Sequence, residues 1–222
     1  MKSEKYNYAA MVKGELFDQN SLPYSVGFHV TSSYFSKSIE KDGFKINNSV
    51  YKKQIDKLIY ISDKFKVDAR ALKNNIKMAS ISFAPLSSQC LDYASKDKLG
   101  GQVSVFAIRA LDDIEVAIKS RNIITKSFYA FKCYFIRSFF KKIKQHSAVI
   151  YAVDLSGVPP SHINYNTLTK SFHVSKSIHK ENIHAKMDLS GFNNEKPPSN
   201  IKGILGNKEF NCGNFVYDVL NR

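Results

Sequence analysis

Gly27-Phe28-His29-Val30-Thr31-Ser32-Ser33-Tyr34-Phe35-Ser36-Lys37-Ser38-Ile39-Glu40-Lys41-Asp42-Gly43-Phe44 is the stretch from which the fold is read. Phe28 to Val30 reads as a short buried strand, and Thr31 and Ser32 as a polar cap. A short helix follows, with Tyr34, Phe35, Ser38 and Ile39 on its inner face and Gly43 closing it. His29 and Thr31 are two residues apart, so on a strand they point to the same side. A histidine and a hydroxyl sharing one side of a strand end make a candidate small-ligand site.

Outward from this unit, the pattern mixes strands with short helices and shows no clean βαβ period, which places the chain in the α+β class. Phe44 to Val50 reads as extended. Lys57-Leu-Ile-Tyr-Ile-Ser62 is a compact strand pattern, with Asp63 as N-cap of a helix over 65–77. Met78 to Phe83 alternates as a strand would, and 89–96 reads as a helical turn or two. Gly100-Gly101 is a turn before a strand over 102–110 and a short helix over 111–120. Ser147 to Leu155 is the most apolar strand, and Ser171 to Val174 is a further short one. The expected organisation is a lead-in over 1–26 and one domain over 27–190. A loop and a C-terminal helix over 191–222 pack on that domain.

Between the two best strands, Ile124, Phe128, Phe131, Phe135, Phe139 and Ile143 recur at spacings of 4, 3, 4, 4 and 4, one face of a helix over 124–143. Two readings stay open there. One is an ordinary amphipathic core helix. The other, suggested by the additional Tyr129, Tyr134 and Phe140 and by the surrounding lysines, is a helix that docks on a partner or an anionic membrane face.

The 222 residues suffice for a substantial core. With 33 Lys+Arg against 19 Asp+Glu, the formal charge is +14. That excess fits an acidic partner, whether a membrane face, nucleic acid or an anionic small molecule, and it fits equally a Lys-rich surface encoded by an AT-rich genome. Cys90, Cys133 and Cys212 form no CxxC pair, which points away from a disulfide framework or zinc site and towards a reducing compartment. The first eleven residues lack an apolar signal core, so the expectation is synthesis in the cytoplasm without a signal peptide, with leaderless secretion into a host or rival cell open. The six histidines show no helical metal-ligand spacing, and there is no GxGxxG, P-loop or GxSxG.

The run from His29-Val-Thr-Ser to Ser38-Ile-Glu-Lys-Asp-Gly-Phe44 resembles the first unit of ADP-ribosyltransferases of the diphtheria-toxin-like, histidine-bearing group. It is also similar to the related tRNA 2'-phosphotransferases. Leu58-Ile-Tyr60-Ile-Ser62, 31 residues after His29, resembles that group's second strand, whose tyrosine stacks on nicotinamide. The Cys90-Leu-Asp-Tyr93-Ala94 run resembles the helix found before its next strand. The resemblance implies an ADP-ribosyltransferase-like fold of split mixed and antiparallel sheets with short flanking helices, and NAD as the substrate. It implies that His29 holds the ribose, Thr31 and Ser32 the ribose or carboxamide, and Tyr60 the nicotinamide ring. Activity would release nicotinamide and transfer ADP-ribose to a side chain of an acceptor protein, as an effector or toxin does.

One position departs from that pattern. Where the resemblance places a late-strand glutamate, Ser171-Phe-His-Val174 has Ser171. Asp154, Glu181 and Asp188 are the substitute acids considered for the catalytic place, Asp154 foremost. A second enzyme class is carried by Asn211-Cys212-Gly-Asn-Phe215, which resembles permuted papain-like amidases and peptidases with His173 or His184 as base. A cysteine packing a terminal helix capped by Asn211 explains the same residues. The third reading is a non-catalytic basic binding module.

Overall fold

The computed structural model describes residues 2–5, 26–46, 49–77, 80–84, 90–91, 93–95, 99–166 and 171–190. These divide into two compact units. Unit 1 takes in 1–46, 80–96 and 147–222, and unit 2 takes in 47–79 and 97–146. The single domain expected over 27–190 is therefore interrupted twice by helical segments. The architecture is α+β, as expected.

Among the described residues, unit 1 holds every strand. These are β1 (Lys2–Lys5), β2 (Val26–Ser32), β3 (Ile81–Phe83), β4 (Ala148–Asp154), β5 (Ile163–Asn166), β6 (Ser171–Val174) and β7 (Ile183–Asp188). One sheet has the order β1-β7-β4-β2 and the other β3-β6-β5. All pairings are antiparallel except β1 with β7, so part of the expected lead-in serves as an edge strand. β4 (Ala-Val-Ile-Tyr-Ala-Val-Asp) is buried on both faces, and its continuous apolar run reflects that. Val149, Tyr151 and Val153 on one face of β4 join Phe83, Phe172 and Val174 in a shared core between the sheets. The sheets also meet along their edge strands β2 and β3, where Phe28 and Ala84 exchange two backbone hydrogen bonds of 2.8 and 2.7 Å. Gly27 permits this approach, because a Cβ there would stand 2.8 Å from Leu155 and 3.0 Å from the Phe83 Cβ.

The helix after β2, α1 (Ser36–Asp42), ends on Gly43 as read from the sequence. Its inner face is narrower than expected: Ile39 is buried and Phe35 half-buried, while Tyr34 and Ser38 face out. Gly43 has φ +78°, and the Gly43 N–H returns to the Ile39 carbonyl at 2.8 Å. Phe44 then forms a two-bond bridge to Ile178.

Unit 2 contains α2 (Ser49–Phe65), α3 (Arg70–Lys77), α4 (Gly101–Ile118) and α5 (Ile123–Gln145). Two expected strands are helical here. Residues 57–62 lie inside α2, where Ile55, Leu58, Ile61 and Phe65 are buried at spacings of 3, 3 and 4. Residues 102–110 lie inside α4, where Ser104, Ala107, Ala110, Leu111, Ile114 and Ile118 are buried. In each case a short apolar run belongs to a longer helical period, and length decides between the two forms. The helix expected over 65–77 is likewise broken: Lys66 adopts φ 56° after α2, and Asp68 accepts from the Arg70 N–H at 2.9 Å where α3 begins.

α5 matches its expected span and is capped by Asn122, whose side chain accepts from the Thr125 N–H at 2.9 Å. Its buried face shares only Phe139 and Ile143 with the stripe read from the sequence. Tyr129, Cys133, Ile136, Phe139, Phe140 and Ile143 point inwards, and Phe128, Phe131 and Phe135 point out. Arg137 fixes this rotation by reaching both Asp112 and Glu115 of α4 at 2.8 Å. No helix among the described residues is long and apolar enough to cross a membrane.

Candidate functional site

β2 positions His29 beside the edge strand β3. The His29 Nδ1–H donates to the Ser82 carbonyl at 2.9 Å. A carbonyl only accepts, so the ring carries its proton on Nδ1 when neutral and presents the Nε2 lone pair as an acceptor. The ring packs edge-on against Phe44, with centroids 4.9 Å apart, and against Phe83 at 5.6 Å. Burial holds the imidazole below its ordinary pKa, against the Ser82 carbonyl, which raises it.

Ser82 joins His29 to a second histidine. The Ser82 hydroxyl, on the outer face of the small sheet, lies 3.0 Å from His173 Nδ1, and the Ser171 hydroxyl lies 3.3 Å from His173 Nε2. Register explains the grouping. Ser82 pairs with His173 and His173 with Asn164, so the three stand in a row across β3, β6 and β5. Their neighbours Ile81, Phe83, Phe172 and Val174 point the other way into the core. Desolvation also lowers the pKa of His173. His173 and the Ser82 and Ser171 hydroxyls therefore form a polar row on the outer face of the small sheet, whereas His29 turns towards Phe44 and Phe83 and meets that row through the Ser82 backbone carbonyl.

Thr31 lies on the His29 side of β2 and is buried. Ser32 lies on the opposite side, fully buried, and its hydroxyl accepts from the Tyr34 N–H at 3.3 Å as the cap of a short 3-10 turn. Its oxygen is thus part of the turn. Tyr60 is not on a strand: it sits on α2 in unit 2 and is 61% exposed. The aromatic walls of the His29 site are Phe44 and Phe83 of unit 1.

Each acid considered for the catalytic place has another role. Asp154, at the end of β4, accepts from the Ser156 N–H at 2.8 Å and the Ser156 hydroxyl at 2.9 Å, closing the turn after the strand. It pairs in register with Val26, three positions from His29 and on the other face of β2. Asp188 accepts from the Ser147 hydroxyl and the Ser190 N–H. Glu181 is exposed and paired with His179. Among the described residues no carboxylate hydrogen-bonds to His29, Ser82 or His173. Ser171, aligned with the glutamate by the resemblance alone, stands beside His173.

Among the described residues no group of three or more His, Cys, Asp or Glu side chains is placed to hold a metal ion. Cys90 and Cys133 are buried, which raises both thiol pKa values, that of Cys133 to about 11 with a further contribution from Glu115. Both are protonated and unreactive at neutral pH. Cys212 and its surroundings lie outside the described residues. Ser82 and Asn164 were missed in the sequence, and His173 was read only as the base for a cysteine. The one sequence signal was the alternation through 80–84 and 171–174.

Comparison with known protein families, with curated proteins and with solved structures gives no match.

The two lowered imidazoles make stability depend on pH. Each binds a proton more readily in the unfolded chain, where the ordinary value is 6.5, than in the fold. Stability therefore rises with pH through this window and is lost as pH falls below 6.5 towards the folded values. Thermal melts followed by circular dichroism between about pH 7.5 and about pH 5.5 are expected to show a falling Tm. His29→Asn keeps an N–H for the Ser82 carbonyl but cannot titrate, so its Tm should fall less over the same range. An equal fall in both proteins would mean that His29 is not held neutral by burial.

Proposed function

We propose that unit 1 is an ADP-ribosyltransferase-like domain that binds NAD over the His29 edge, releases nicotinamide and transfers ADP-ribose to a protein side chain. The observation that carries this reading is the fixed His29 tautomer. With Nδ1–H held by the Ser82 carbonyl, Nε2 is an acceptor for a ribose hydroxyl, the role the resemblance implies for this residue. Two small sheets meeting at Phe28 and Ala84 agree with the split-sheet arrangement, and the late strand β6 brings Ser171 and His173 to the joint made by Ser82. Loss of nicotinamide breaks the bond from its ring nitrogen to ribose C1' and leaves an oxocarbenium-like centre. The acceptor side chain attacks that carbon and gives up its proton. His173, whose pKa burial lowers, is the imidazole joined to His29 through Ser82, and in this reading it takes that proton. The net positive charge of the chain favours the NAD diphosphate.

One observation favours a second reading, binding without turnover. Ser171 stands in place of the glutamate, and no described carboxylate reaches the cluster to stabilise the oxocarbenium centre. Calorimetric titration with NAD and a nicotinamide-release assay, run on the same protein, separate the two. Transfer gives binding and release, both reduced at least about tenfold in His29→Asn, the loss of roughly one charge-neutral hydrogen bond in a partly buried site. Binding alone gives the first effect without release. Absence of NAD binding by the native protein contradicts both.

A further inference from the structure

We propose that the outward face of α5 is a docking surface for an anionic lipid bilayer. Ile123, Ile124, Phe128, Phe131, Tyr134 and Phe135 are each more than half exposed. At 100° per residue they cover an arc of about 140°, opposite the face that packs Tyr129, Cys133, Ile136, Phe140 and Ile143 inwards. The helix therefore carries two apolar faces, and only the inner one is needed for the fold. Isolated exposed apolar side chains are ordinary, but a contiguous strip marks a contact surface.

Charge identifies the occupant. Between Glu115 and Asp154 the chain has eight Lys and Arg and no acid. Arg137 turns inwards to Asp112 and Glu115. Lys141 and Lys142 continue the exposed arc at its C-terminal end, and Lys132 flanks it, with its ammonium 4.1 Å from the Phe128 ring centroid. Aromatic and aliphatic groups flanked by lysines are the composition of a helix lying in a bilayer interface, with apolar tips in the acyl boundary and ammonium groups among anionic headgroups. The strip follows a single convex helix, and a bilayer needs no shape complement to receive it. The rings do not form a stacking platform for nucleic-acid bases: Phe131 and Phe135 pack edge to face at 4.7 Å and 81°, as do Tyr134 and Phe135 at 80°. This inference is independent of NAD binding, since it rests on unit 2 alone.

Co-sedimentation of the full chain with vesicles tests it, comparing phosphatidylcholine alone with phosphatidylcholine containing about one-third phosphatidylserine. Binding is expected to the second vesicle, with at least about a tenfold weaker affinity for Phe131→Ser/Phe135→Ser and for Lys141→Glu/Lys142→Glu, and with weakening at high salt. All of these positions are exposed, and circular dichroism confirms that the variants remain folded. Three results overturn the proposal. One is equal binding to both vesicles or to neither. Another is a dimer in sedimentation velocity that Phe131→Ser/Phe135→Ser dissolves, which assigns the face to a second copy. The last is binding of a single-stranded oligonucleotide that the same variant abolishes, which assigns it to nucleic acid.

Discussion

Phe140→Ala is expected to destabilise the protein by about 3–5 kcal/mol, while Phe131→Ala, nine residues earlier on the same helix, is expected to change stability by no more than about 0.5 kcal/mol. Phe140 is 0% exposed and Phe131 is 63% exposed. Removing the Phe140 ring leaves a cavity next to Tyr51, whose ring centroid is 5.9 Å away, and Phe139 at 5.4 Å. Those groups cannot close the space without moving α2 against α5. Removing the Phe131 ring takes away one edge-to-face contact with Phe135 and exposes little that was dry. Urea unfolding followed by far-UV circular dichroism measures both, since the chain has no tryptophan to report by fluorescence. Equal losses in the two variants would mean that α5 is rotated from the orientation described.

Gly43→Ala is expected to cost about 3 kcal/mol or more in the stability of unit 1. At φ +78° and ψ −167° the backbone lies in a region that L side chains rarely enter, and strain there costs about 1–3 kcal/mol. Space is the second obstacle. An added Cβ would collide with the Ile178 carbonyl and stand 2.8 Å from the Lys180 nitrogen, both backbone atoms that no side-chain rotation can clear. The bridge that would have to open is the pair of Phe44–Ile178 hydrogen bonds at 2.8 and 2.9 Å, each worth about 1 kcal/mol. Phe44 is also a wall of the His29 site, so the same substitution is expected to weaken any ligand held there. A variant with native stability would show that this turn can relax in a way its packing does not suggest.

How much was legible in the sequence follows from these elements. β4 and β6 announced themselves, one by an unbroken apolar run and the other by alternation between turn residues. α5 was legible as a helix because its apolar period is long. Its facing was not, because apolar residues surround it and periodicity cannot say which stripe meets the core when two compete. In α2 and α4 the six-residue run at Lys57–Ser62 and the β-branched Val103 and Val105 imitate strands. Only the longer spacing through Ile55, Leu58, Ile61 and Phe65 distinguishes them.

His29 was found because histidine before a hydroxyl at a strand end is locally conspicuous. Its partners were not found because cross-strand register brings them together: Ser82 meets His173 across 91 residues of chain. No local pattern encodes that meeting. The strand reading of Tyr60 failed because the apolar run around it belongs to the longer helical period of α2.

The central claim is that the His29 edge holds the ribose of NAD. The most direct test is a titration of the folded protein with NAD, followed by the imidazole carbon and nitrogen resonances of ring-labelled histidine. The expected result is a saturable shift of the His29 and His173 signals, with His29 retaining its proton on Nδ1, while the exposed His162, His179 and His184 stay unmoved. Saturation without any movement of His29, or no shift of any histidine at millimolar NAD, would contradict the account.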